Sequence, residues 1–113
     1  MITSAPEQFG TREEAIALVE ASGLFLAEAQ LSQSELTGAA HVHPYDVEIY
    51  VLNGIFELHD PDSHQVHRLE CGSKATVPAG TLHAETCPGT FHAVFGASVD
   101  PRPLMAERQR TAS

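Results

Sequence analysis

The sequence has no tryptophan, two cysteines and only six lysines and arginines against fifteen acids in 113 residues. Each scarcity excludes something. With a formal net charge of -9 the surface repels phosphate backbones and anionic headgroups, so neither nucleic acid nor a membrane is an expected partner. No apolar run approaches the roughly 18 residues that a membrane-spanning helix needs. The first eight residues, Met1 to Gln8, hold no basic stretch followed by an apolar one, so no signal peptide is expected. Cys71 and Cys87 make no disulfide framework, and a reducing cytoplasm suits them. A chain of this length is one domain, 1–113, able to bury roughly two thirds of its unfolded surface.

What the sequence does have is histidine. His41 and His43 stand two apart, and residues two apart in an extended chain share a face. His83 and Glu85 repeat that spacing. If the two stretches lie across from each other, three neutral imidazoles and a carboxylate converge. Borderline nitrogen with hard oxygen is a donor set for a divalent transition metal.

Residues 1–10 read as an unanchored lead-in. Thr11 and Glu14 form a capping box ahead of Ala15, Ile16, Leu18 and Val19, and Gly23 is a suitable stop. This predicts one short amphipathic helix within 11–23. From Leu24 to Leu31 a strand is expected, and Ser32 to Gly38 reads as a turn. Val47 to Asn53 is β-branched and aromatic, a strand, and Asn53-Gly54 signals a hairpin returning through Ile55 to His59. Turn residues at Asp60 to Ser63, Cys71 to Ser73, Pro78 to Gly80 and Pro88 to Gly89 separate further short strands, the last running from Thr90 to Phe95. Many short strands with regular turns indicate an all-β sandwich or barrel over 24–98. The tail, 99–113, has little to bury. His59, His64 and His67 flank a polar hairpin and are expected at the surface. His92, between Phe91 and Phe95, reads as a core or ligand-facing histidine.

The joint pattern resembles the two motifs of the cupin superfamily. Gly72, Pro78, Gly80 and His83 match the second motif at every spacing, with Cys87 at its Asn position. His41, His43 and Glu48 match the ligands of the first motif. Gly38 stands too close to His41, and Gly54 comes one residue early, so that counting back from Gly54 puts Val47 at the carboxylate position. A one-residue slip turns a side chain to the other face. Either a bulge returns Glu48 to the interior, or the fourth ligand is Glu85 or Asp46. The order of expectation is Glu48, Glu85, Asp46.

The resemblance implies a single-domain cupin-type antiparallel β-barrel, jelly-roll-like, with one short N-terminal helix and a metal in its mouth. It implies His41, His43, Glu48 and His83 as ligands of Fe, Mn, Ni or Zn, with Glu48 or Glu85 as a general base where it is not a ligand. Such sites serve dioxygenases, sugar-phosphate isomerases and decarboxylases. Only Arg68 and Lys74 fall in the barrel segment, which disfavours a phosphorylated substrate. A metal-dependent enzyme, a dioxygenase or another metal-assisted one, acting on a small chelating molecule is expected. A non-catalytic ligand-binding or sensor module is the alternative. Small barrels expose edge strands, so a homodimer through 24–31 and the helix is expected as well.

Overall fold

Helix α1 spans Arg12–Ala21, where Thr11 accepts from the Glu14 amide and Glu13 and Glu14 fill the first turn. In the computed structural model, which describes residues 1–32, 36 and 39–100, eight strands accompany it. They are β1 (Thr3–Ala5), β2 (Phe25–Ser32), β3 (Val47–Gly54), β4 (Phe56–Asp60), β5 (Gln65–Leu69), β6 (Lys74–Val77), β7 (Ala84–Thr86) and β8 (Thr90–Ala97). One sheet has the order β1-β6-β3-β8-β2, the other β5-β4-β7. Every pairing is antiparallel.

Alternation along β3 sets the layers. Ile49 and Val51 face the space between the sheets, with Phe56, Leu58, Leu69, Ala75, Val77 and Phe91. Tyr50 faces the other way and packs with Val94 under Ala15 and Val19 of α1. Fully burying one such aliphatic or aromatic side chain contributes about 1.5–3 kcal/mol, which fixes both the register and the helix position.

The all-β architecture with one N-terminal helix is as expected, although the two sheets form an open sandwich rather than a closed barrel. Two local expectations fail. The lead-in is anchored: Ile2 is buried in the core, and β1 pairs with β6 from Thr3↔Thr76 to Ala5↔Lys74. Asn53-Gly54 is not a hairpin, because β3 pairs with β6 and β8 while β4 pairs with β5 and β7. The chain passes between sheets at Ile55. Gly54 has φ +80°, and a Cβ there would stand 2.2 Å from the Thr90 carbonyl oxygen. Glycine at this position permits close approach of β3 to β8. Residues 101–113, most of the turn at 32–38 and Gly38 itself lie outside the described residues.

Candidate metal centre

His41 and His83 are joined by reciprocal backbone bonds. The His41 N–H donates to the His83 carbonyl at 2.8 Å, and the His83 N–H to that of His41 at 2.9 Å. Directly opposed residues of an antiparallel pair project their side chains to one side. Their rings accordingly lie 4.5 Å apart, and the His43 ring stands 4.9 Å from His41 and 5.0 Å from His83. The loops beneath are tied as well. The Gly80 N–H donates to the His43 carbonyl, and the Ala79 N–H to the Asp46 carboxylate, both at 2.8 Å.

Glu85 enters from β7. It is the register partner of Leu58, which is fully buried between the sheets, so it shares Leu58's inward face. Its Oε1 lies 3.3 Å from Nε2 of both His41 and His83. One donor atom from each of His41, His43, His83 and Glu85 lies within 4.8 Å of all the others. Exposure is graded across the group: the side chain of His83 is 2% exposed, Glu85 21% and His41 31%. The cluster is closed behind His83 and open toward His41.

Two backbone carbonyls set the protonation of the rings. Nδ1 of His41 bonds the Ala39 carbonyl at 2.8 Å, and Nδ1 of His83 bonds that of Thr81 at 2.9 Å. A carbonyl only accepts, so each Nδ1 carries a proton, and in the neutral ring each Nε2 is left to turn a lone pair inward. Burial works to raise the Glu85 carboxyl, but the His83 bond and the charges of the three imidazoles hold it below the usual carboxylate range. Burial works to lower His83, but the Glu85 and Thr81 bonds leave it raised. A lone pair facing an anion across 3.3 Å needs a proton or a cation between them. Such outer bonds to ring N–H groups are how metal-binding histidines are oriented, and the donor set fits a divalent transition metal.

Glu48, ranked first as fourth ligand and named as a possible base, stands elsewhere. It shares the helix-facing side of β3 with Tyr50, accepts from the Tyr50 hydroxyl at 2.7 Å and pairs with Lys74 Nζ at 3.5 Å. Burial, then Glu48, pushes the Tyr50 hydroxyl well above its ordinary value. A register shift does occur in β3, but between Val51 and Asn53, too late in the strand to turn Glu48 inward. Asp46 is exposed and serves the Pro78-to-Gly80 turn. Cys87 is buried, its thiol donating to the Gly89 carbonyl.

Of the remaining histidines, His64 is exposed, whereas His59 and His67 are half-buried against expectation, His59 bonding Thr86 Oγ1 at 2.8 Å. For His67 the cause is its register. Leu58 is its register partner, which turns it inward, and its Nδ1 bonds Ser4 Oγ at 2.8 Å. His92 is neither a core nor a cluster residue; its Nε2 donates to Glu28 at 2.6 Å. The sequence reading missed Tyr45, which stacks on His43 with centroids 5.0 Å apart. It also missed the Ala39 and Thr81 carbonyls. Backbone groups leave no trace in residue types, although both sit two residues before the histidine they orient.

No family model matches this chain, and no curated protein does. Solved structures do resemble it. A DUF861-family protein from Thermotoga maritima matches with a TM-score of 0.56 at 18% identity, over 84% of this chain and 97% of that one. An RmlC-like cupin from Shewanella frigidimarina matches with a TM-score of 0.50 at 20% identity, over 66% of this chain and 68% of that one. The polyketide cyclase RemF from Streptomyces resistomycificus matches with a TM-score of 0.52 at 24% identity, over 67% of this chain and 55% of that one. The fold is the cupin fold. No helix among the described residues is long and apolar enough to cross a membrane.

Proposed function

We propose that His41, His43, His83 and Glu85 hold one divalent transition metal ion, Fe, Mn, Ni or Zn, and that the protein is a metal-dependent enzyme of cupin type, most simply a dioxygenase, acting on a small chelating organic substrate. The observation that supports this is the convergence of four donors within 4.8 Å, two of the rings being held at Nδ1 by backbone carbonyls so that their Nε2 atoms, bare in the neutral rings, face a carboxylate. When bound, the ion supplies Lewis-acid or redox chemistry to a substrate that reaches it through two oxygens. The chain's own groups do the rest. His83 anchors the closed side, His41 and His43 border the open side where a ligand arrives, and Tyr45 covers one face of the His43 ring. Glu85 offsets the charge of the ion.

The two cations of the barrel segment are engaged away from these histidines. Lys74 pairs with Glu48 and lies over the Tyr50 ring, and Arg68 pairs with Glu70. That favours an uncharged or chelating substrate over a phosphorylated one. The reading includes a cytoplasmic location, in keeping with a sequence that has no disulfide framework.

A second reading, a ligand-binding or sensor module without chemistry, is favoured by one observation. The cluster holds a single carboxylate, and that one is a ligand, so no separate carboxylate base stands beside it. The test is elemental analysis of protein purified without chelator, paired with dioxygen uptake on a panel of diketones, catechols and thiols. Close to one transition metal per chain with uptake on a panel member supports the enzyme. Metal without uptake on any member favours the binding module. Absence of metal removes both the ion and the chemistry built on it.

A further inference from the structure

On the outer face of the five-stranded sheet, three neighbouring strands set three polar side chains in one row. His92 of β8 is the register partner of Gln30 on β2 and of Asn53 on β3. The row depends on the irregularity in β3. Val51 pairs with Ala93, so an unbroken ladder would place Leu52 opposite His92. The extra residue lets Leu52 stay packed with Tyr50 and Val94 under α1, and brings Asn53 to the imidazole instead. Bulges re-aim side chains in this way and are common beside active sites. Gln30, Asn53, Thr90 and His92 line a cleft of about 100 Å³, with Gly54 and Phe91. His92 lies two residues before Val94, which packs under the helix, so the cleft is on the helix side and the sheet separates it from the inward-facing Glu85.

Bonds around the cleft specify its chemistry. Arg12 donates to both oxygens of Glu28 at 2.7–3.0 Å and, ahead of the His92 bond, holds that carboxyl below the usual carboxylate range. Glu28 is therefore an acceptor, and His92 Nε2 donates to it at 2.6 Å. In the neutral ring this leaves Nδ1 as an acceptor. Asn53 Oδ1 accepts from the Gly54 N–H at 2.9 Å, which leaves its amino group to donate. Gln30 can do either, and Thr90 adds a hydroxyl. No Asp, Glu, Lys or Arg lines the cleft among the described residues.

We propose that this cleft binds a neutral polyhydroxy molecule, a single sugar ring presenting adjacent hydroxyls. One hydroxyl donates to His92 Nδ1, its neighbour accepts from Asn53 Nδ2, and Gln30, on the other side of the imidazole, bonds a third. A hydroxyl both donates and accepts, which suits a row that mixes acceptor and donor groups. A carboxylate or phosphate would meet the Nδ1 lone pair with no cation to pair with, because Arg12 is committed to Glu28. An ammonium would meet the Asn53 amino group and no carboxylate. The volume is far below the roughly 300–1,000 Å³ that encloses a drug-sized ligand, so one edge of one ring enters. The site stands apart from the metal centre and does not rest on it.

The test is a nuclear magnetic resonance titration of the full, isotope-labelled chain. Glucose, galactose, mannose and myo-inositol are added in turn, with acetate and methylammonium as charged controls. Saturable shifts of the His92 ring and of the Gln30 and Asn53 side-chain amides are expected with at least one of the four polyols, and none with either ion. No saturable shift with any polyol overturns the proposal, as do shifts at these groups with an ion alone, or polyol shifts confined to the rings of His41, His43 and His83. Gln30→Ala and Asn53→Ala are each expected to weaken binding about 2–10-fold, the worth of one neutral hydrogen bond, with the folded state followed by circular dichroism. Unchanged affinity in Gln30→Ala, the variant that leaves the β3 bulge intact, overturns the cleft as the site.

Discussion

Glu85 and Glu48 are two carboxylates of similar burial, their side chains 21% and 16% exposed. What faces them differs. Glu48 meets a hydroxyl and an ammonium, both donors, so its needs are met inside the chain. Glu85 meets the Nε2 atoms of two rings whose Nδ1–H groups are already committed to backbone carbonyls, so a neutral ring offers it only a lone pair. One acid is a finished structural contact; the other is finished only by a proton or an ion. Burial alone does not distinguish a ligand from a strut. The partner's donor or acceptor character does.

The comparison can be broken most directly at His83. His83→Ala takes away the buried anchor and is expected to abolish metal retention, read as metal per chain after gel filtration, with the fold kept by circular dichroism. Metal at the level of the unaltered chain would remove His83 from the site. The paired variants Glu85→Gln and Glu48→Gln sharpen it. Glu85→Gln is expected to weaken metal binding at least by the roughly 10–100-fold that loss of a supporting group costs. Glu48→Gln is expected to leave metal content unchanged while lowering stability by about 1 kcal/mol through the Tyr50 and Lys74 contacts. A metal loss in Glu48→Gln equal to that in Glu85→Gln would erase the distinction.

Acidity gives a smaller, graded test. The folded value of His83 is raised, so in the metal-free chain it contributes stability below the ordinary histidine range that is lost as pH rises through the folded value. Glu85 is lowered, so its contribution is present above the ordinary carboxylate range and lost as pH falls through its folded value. Metal needs the bare Nε2 and runs opposite to His83. Loading is expected to decline as pH falls, beginning above the ordinary histidine value. Thermal unfolding with and without metal should then show opposite slopes across the histidine range.

The second motif was legible because its turn, Pro78-Ala79-Gly80, fixes where His83 must sit, and spacing is what a sequence records. The fourth candidate donor was legible only as a parity conflict. The sequence shows that Gly54 is early, but not where along β3 the irregularity falls, and its position after Val51 decides that Glu48 faces α1. Asn53-Gly54 misled for a similar reason. A turn signal is local, whereas the strand partner of β3 is chosen by burial far along the chain. Anchoring of the first residues rests on Ile2, a single apolar side chain that no periodicity marks, and on backbone pairing of β1 with β6.

The reciprocal bonds between His41 and His83 carry one more consequence. The donors come from stretches far apart in sequence that meet only when the sandwich has formed, so a fragment ending before Gly72 would carry two of the imidazoles and bind no ion tightly. Ion capture would therefore be a late event in maturation. Once made, it would clip the long intervening segment into a loop and slow solvent exchange of the backbone amides at both crossing residues.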